Sequence, residues 1–241
     1  MQIVILGYTG ALGKNILDCL FKNKNFQFLC VGRNIKNYNK KYSRIKYHQL
    51  DLSSLEKVNL SFLDKADIII NCAGKVDVKD INLEKINILF IKKILLYINT
   101  KKLKIRFIQL GSVSVYGEAS NYLGKKKTIK ENSQIKINNI YSNSKIKADR
   151  LIQSVVNRGL NKNFSYTILR ISNVYSDEKK SNLYKYFLIS LRLRFWVRSF
   201  DDVIFNFINV KDVSRSVAMV ISKLKISKNK IYIVSDDCSQ S

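Results

Sequence analysis

Gly7-Tyr8-Thr9-Gly10-Ala11-Leu12-Gly13 sets three glycines at intervals of three near the start of the chain. A turn of this kind brings backbone N–H groups up to an anion, and side chains would obstruct the approach. The segment before it, Gln2–Leu6, is short and apolar; the segment after it, Ala11–Phe21, carries Leu12, Ile16, Leu17 and Leu20 at helical spacing. A glycine turn between a strand and an amphipathic helix seats the pyrophosphate of a dinucleotide on the helix N-terminus. Gly7, Thr9, Gly10, Ala11, Leu12 and Gly13 are therefore the expected cradle. The next apolar run ends in Gly32-Arg33-Asn34. An acidic residue there would bind the ribose 2′-hydroxyl of NAD, whereas an arginine accommodates the 2′-phosphate of NADP. Arg33 predicts NADP, with NAD as the alternative.

A second pattern is Tyr-x-x-x-Lys. On a helix these positions share a face, so an ammonium lies close to a phenol. The positive charge favours phenolate and lowers a pKa that is ordinarily about 10, which makes the tyrosine a usable proton donor or acceptor at neutral pH. The motif starts at Tyr42, Tyr97, Tyr122, Tyr141 and Tyr175, so the spacing alone selects nothing. Tyr141 stands out because it opens a stretch with Ile146, Leu151, Ile152 and Val155 at helical positions, with Lys145 one turn on. His48 is the one histidine, without companions at metal-ligand spacing; it reads as structural, and no metal is expected.

These groups need elements to hold them. Hydrophobic periodicity predicts strands over residues 2–6, 26–31, 45–50, 66–70, 106–110 and 165–169, then 203–207 and 231–234. Helices are predicted over 11–21, 53–62, 83–98, 141–156, 182–194 and 210–222. The run over 66–70 is apolar throughout, as in a strand buried on both faces. The helix over 83–98 is apolar almost all round, so it is expected to be buried on two sides. Residues 121–139 are polar and Lys-rich and read as a long loop. The alternation predicts an α/β fold with a doubly wound parallel sheet.

Composition narrows the partners. The chain has 241 residues, 43 Lys+Arg against 18 Asp+Glu, a net charge of +25 and no Pro. Such an excess can serve nucleic acid, but the lysines are scattered and no recognition motif accompanies them, so no nucleic-acid partner is expected. No apolar run is long enough for a membrane span. Cys19, Cys30, Cys72 and Cys238 have no C-x-x-C spacing, which fits a reduced, cytoplasmic protein.

Further landmarks follow the expected strands in order: Asp51-Leu52, Asn71-Cys72-Ala73-Gly74, and Gly111-Ser112-Val113-Ser114-Val115-Tyr116-Gly117. After Tyr141-Ser142-Asn143-Ser144-Lys145 come Leu169-Arg170-Ile171-Ser172-Asn173-Val174-Tyr175 and Phe207-Ile208-Asn209-Val210-Lys211-Asp212-Val213. In this order they resemble the extended short-chain dehydrogenase/reductases, specifically the NAD(P)-dependent epimerase/dehydratase group acting mainly on nucleotide sugars. The resemblance spans nearly the whole chain and implies a Rossmann-type sheet, with residues 1–172 as the dinucleotide-binding domain and residues 173–241 as a short substrate-side portion interleaved with the sheet. It assigns Tyr141 as the proton donor, Lys145 as its tuner and Ser112 as the group that orients the reacting carbonyl. It places Asp51 and Leu52 at the adenine, Ala73 and Gly74 along the cofactor groove, Tyr141 and Lys145 against the cofactor as well, and Ser114 and Asn173 at the substrate. Asn87 matches a helix Asn of the family, with a structural role equally open, and Asp212 braces the late helix. The helices over 83–98 and 141–156 are the family's dimer-forming pair, which implies a homodimer. Two departures matter. Phe205 stands where the family often has an Arg for the nucleotide diphosphate, with Arg192, Arg194 or Arg198 as substitutes. Val113 and Ser114 stand where sugar dehydratases carry acids, which disfavours elimination. The resulting expectation is an NADP-dependent reductase of a keto group on a nucleotide-linked sugar, in surface-polysaccharide precursor synthesis. The alternatives are an epimerase with tightly held NAD and a non-catalytic cofactor-binding relative.

Overall fold

The computed structural model describes residues 1–33, 43–53, 58–117, 128–176 and 206–236. Its centre is a seven-stranded sheet whose strands are β1 (Gln2–Leu6), β2 (Gln27–Gly32), β3 (Ile45–Gln49), β4 (Ile68–Asn71), β5 (Arg106–Ser112), β6 (Ser165–Ile171) and β9 (Lys230–Val234). They lie in the order β3-β2-β1-β4-β5-β6-β9, and every neighbouring pair is parallel. A sheet wound in both directions from β1 leaves a crevice at the carboxyl ends of β1 and β4, where the chain reverses direction across the sheet. A small second sheet pairs β7 (Asn173–Tyr175) with β8 (Phe207–Asn209), also in parallel.

Both faces of the sheet are covered at its centre, so β1 and β4 are apolar on both sides. Val4 and Leu6 of β1 face a layer that includes α2 (Phe90–Thr100) and α3 (Ile140–Asn157), packed through Phe90, Ile94, Ile152 and Val155. Ile3 and Ile5 face the other layer, where α1 (Ala11–Phe21) and α4 (Val210–Ser222) contribute Ile16, Leu20, Val213 and Val217. Full burial of one such aliphatic side chain is worth roughly 1.5–3 kcal/mol.

Three expectations change. The helix over 83–98 is present as a continuous helical run, but Lys85–Leu89 within it is a π-helical turn, with α-helix from Phe90 to Thr100. The wider turn carries Asn87 into the interior, whereas Leu89 and Leu96 are exposed, so burial is not all-round. Of the helix over 53–62, residues 58–60 are described and not helical, and Ser61–Leu63 is a 3-10 turn; residues 54–57 lie outside the described residues. Where a strand is expected over 203–207, a strand runs Phe207–Asn209; Asn206 is outside it, and residues 203–205 lie outside the described residues. The helix over 182–194, Arg192, Arg194, Arg198, Phe205 and Cys238 lie outside the described residues as well. Strand and helix limits elsewhere move by one or two residues. His48 packs its ring on Phe62 at 4.6 Å, as a structural residue would. Asp212 pairs with Arg215 at 2.6 Å in the first turn of α4.

Candidate functional site

The glycine turn is shaped by main chain. Gly7 has φ +76°, in the region that L side chains rarely adopt, and donates its N–H to the Val31 carbonyl at 2.9 Å. A Cβ on Gly7 would come within 2.8 Å of the Ala73 backbone. On Gly13 it would lie 2.5 Å from Tyr8 Cα and 2.6 Å from the Gly7 carbonyl oxygen. Both neighbours are backbone and cannot rotate away. Gly10 differs: it is exposed, and a Cβ there would meet the Gly7 carbonyl oxygen at 3.5 Å, an ordinary contact, so the turn opens to solvent there. Gly10 caps α1 without a side-chain hydrogen bond, which leaves the first helical N–H groups facing the opening.

That opening is a cavity of about 150 Å³ at the crevice between β1 and β4. Gly7, Thr9 and Gly10 form one wall, Arg33, Asp51 and Leu52 a second, and Ala73 and Gly74 a third. Helix N–H groups at one end and a cation at the other fit a dinucleotide, so Gly7, Thr9 and Gly10 would hold its phosphates and Arg33 its ribose end. Ala11, Leu12 and Gly13 lie behind the wall in α1, where Gly13 lets the helix approach the turn. Lys75 and Ile86 also line the cavity and carry no motif signature. Lys75 Nζ is held by Asp80 at 2.6 Å. The Asp51 carboxylate accepts from Ser53 N at 2.9 Å and Ser53 Oγ at 2.7 Å. These bonds, with help from the Arg33 and Lys75 cations, hold Asp51 below the usual carboxylate range.

The second group comes from side chains on separate elements. Asn139 caps α3: its Oδ1 accepts from Ser142 N at 2.8 Å while Ser142 Oγ accepts from Asn139 N at 3.2 Å. A cap of this type is worth about 0.5–2 kcal/mol and fixes where the helix starts, placing Tyr141 in its first turn. Lys145 is buried and donates from Nζ to the Leu110 carbonyl at 3.0 Å, 5.8 Å from the centre of the Tyr141 ring. It thereby ties α3 to β5 two residues before Ser112. Ser112 ends β5, and its Oγ accepts from Ser114 N at 3.2 Å, starting the 3-10 turn Val113–Tyr116. The Ser114 hydroxyl is buried and has no partner among the described residues. Asn173 is exposed at the start of β7, its amide reaching the Asn206 carbonyl at 3.4 Å.

The other tyrosines of the repeated motif stand elsewhere. Tyr97 sits in the last turns of α2 with its hydroxyl committed to Asp64 at 2.6 Å, and Tyr175 is on strand β7. Tyr42 and Tyr122 lie outside the described residues. Asn87 acts as a clamp: its Oδ1 accepts from Lys75 N at 2.8 Å, and its Nδ2 donates to the Lys75 carbonyl at 3.0 Å and Ser144 Oγ at 2.9 Å. It joins the cavity loop to α3, a role that needs the inward turn of the π-helical segment.

A doubly wound parallel sheet, a glycine turn after its first strand and a Tyr–Lys pair one helical turn apart beside the end of β5 define an extended short-chain dehydrogenase/reductase. Residues 3–235 match the family model described as the NAD dependent epimerase/dehydratase family, and the chain belongs to that family. A search of curated protein sequences found no significant match. Among solved structures, UDP-glucuronic acid 4-epimerase from Bacillus cereus, in complex with UDP-glucuronic acid and NAD, is 18% identical with a TM-score of 0.81, covering 100% of this chain and 79% of that one. The dTDP-glucose 4,6-dehydratase from Bacillus anthracis, in complex with NAD, is 16% identical with a TM-score of 0.77, covering 100% and 77%. UDP-N-acetylglucosamine 4-epimerase from Methanobrevibacter ruminantium is 17% identical with a TM-score of 0.79, covering 99% and 77%. At these identities the likeness is one of fold.

Proposed function

We propose that the protein is an NADP-dependent oxidoreductase that reduces a keto group of a nucleotide-linked sugar. The observation that carries this reading is the placement of Tyr141 and Lys145 beside the strand end that bears Ser112, with the glycine-walled cavity at the neighbouring strand ends. When bound there, a nicotinamide dinucleotide would supply the hydride. Tyr141 gives its proton to the carbonyl oxygen, Lys145 steadies the resulting phenolate, and Ser112 donates a hydrogen bond to the same oxygen as charge develops on it. The unpartnered Ser114 hydroxyl serves a sugar hydroxyl, and Asn173 stands at the substrate side. Arg33, exposed on the cavity wall, supports NADP over NAD. Val113 and Ser114 offer no acid for elimination. The exposed Leu89 and Leu96 of the α2 layer and Ile140 of α3 supply apolar surface for a homodimer.

The second reading is a nucleotide-sugar epimerase that keeps NAD bound through oxidation and re-reduction. It is favoured by the solved relatives that are 4-epimerases, one of them in complex with NAD. Purified protein incubated with NADPH and a nucleoside-diphosphate 4-keto-hexose separates the two. The expected result is NADPH consumption with formation of the hydroxy sugar. NAD retained through dialysis, with interconversion of nucleotide hexoses and no net cofactor consumption, would establish the epimerase instead.

A further inference from the structure

Tyr141, Lys145 and Asp149 follow one another at four-residue intervals on α3, so they line one face of the helix. Asp149 is completely buried, and its Oδ2 accepts from Arg170 Nε at 3.1 Å. Its other oxygen has no partner among the described residues. Arg170 is also buried, on β6 directly beside Gly111 of β5. Its second nitrogen donates to Tyr116 Oη at 2.6 Å, and Tyr116 Oη donates to the Glu131 carbonyl at 2.9 Å. Tyr116 closes the 3-10 turn that begins at Ser112, and the Lys136 N–H holds the Val115 carbonyl of the same turn at 2.9 Å. One end of this chain of bonds therefore rests on the helix of Tyr141 and Lys145, the other on the turn of Ser112.

We propose that the Asp149–Arg170 pair is a strut that sets Ser112 against Tyr141, which makes both of them positioning residues. The proposal rests on the reading of Ser112, Tyr141 and Lys145 as the reacting trio. Packing alone does not account for the pair. Apolar residues of similar volume fill such a space without the desolvation cost, and they are often neutral or stabilising there. Burial works against the charge, pushing Asp149 up to about 6 despite the opposing pull of Arg170. What an apolar pair lacks is direction. The guanidinium is a planar fork, and here one edge takes a carboxylate from α3 while another takes a phenol from the turn after β5. Reacting groups need placement to within about 0.5 Å, and a fork anchored at both ends supplies it.

The test is the paired substitution Asp149→Leu with Arg170→Met, which removes both charges together. Its melting temperature and dinucleotide affinity are expected to stay near those of the parent. The kcat is expected to fall at least about tenfold with KM within about threefold, since orientation at the reacting centre is what is lost. Crystal structures of parent and variant are expected to differ by more than about 0.5 Å in the separation of Ser112 Oγ and Tyr141 Oη. A kcat within twofold of the parent, or an unchanged separation, overturns the strut. Should the paired variant not fold, Tyr116→Phe removes only the phenol end; it is expected to lower kcat about threefold to tenfold at unchanged KM, and an unchanged kcat overturns the proposal. A parent protein that turns over no keto-sugar refutes the functional reading instead, and the Oγ–Oη separation then decides the strut by itself.

Discussion

The two halves of the site are made from different material. The glycine turn is a backbone construction: Gly7 and Gly13 are dictated by main-chain atoms of Ala73 and Tyr8, and side chains matter there by being absent. The Ser112–Tyr141–Lys145 group is a side-chain construction, brought together from β5 and α3 by the Asn139 cap and the bond from Lys145 to the Leu110 carbonyl. In the proposed reading the first half binds and the second half reacts. A substitution in the trio should therefore leave binding alone and remove chemistry, whereas one in the turn should disturb binding first.

The largest effect is expected from Tyr141→Phe. The phenol is the only group assigned to move the proton, and a positioned general acid contributes roughly 10²–10⁴-fold. The kcat should fall by that factor while NADPH affinity, measured by calorimetry, stays within about threefold, because the cavity walls contain no atom of Tyr141. Retained turnover would remove Tyr141 from its role, and lost cofactor binding would erase the contrast between the two halves.

Gly13→Ala comes next and acts on the other half. The added methyl would sit 2.5 Å from Tyr8 Cα, and overpacking of this kind costs about 1–3 kcal/mol. A lower melting temperature is expected together with a dinucleotide affinity weakened about tenfold, as α1 is pushed off the turn whose N–H groups it presents. The same change at Gly10 should be milder, since a Cβ there meets nothing closer than 3.5 Å. Equal effects at the two positions would show that the turn is not shaped by the contacts described.

How far each half could be read from sequence follows from the same division. The turn is local: strand, glycines and helix are consecutive, and β1, α1 and the cavity wall stand where the spacing placed them. The Tyr-x-x-x-Lys pattern was ambiguous because the chain is rich in both residues; only the start of α3 separates Tyr141 from Tyr97, which ends a helix and is tied to Asp64. Asn87 could not be read as a clamp, because one extra residue in a π-helical turn changes which side chains face inward and leaves no trace in the apolar spacing. Lys75 and Ile86 join the cavity through a loop and a helix turn that no periodicity connects. Asp149 and Arg170 were invisible as a pair because the register between β5 and β6 and the packing of α3 create their contact.

The smallest expected effect concerns Arg33, a charged side chain added to the rim of the backbone-built half. It is exposed, so solvent screening reduces what its charge can contribute. A charge-assisted hydrogen bond to a phosphate is worth at most about 1.5–3 kcal/mol, and at this exposed position the expectation is a threefold to tenfold loss of NADP affinity in Arg33→Ala. NAD affinity should not change, because the turn, the helix N–H groups and Asp51 remain as they were. The ratio of the two dissociation constants, measured at low and at high salt, isolates the term: the NADP preference should shrink as salt rises in the parent and be flat in the variant. A parent with no preference would make Arg33 an ordinary surface arginine in a basic chain. It would also move the weight toward the epimerase, whose retained cofactor needs nothing from that position.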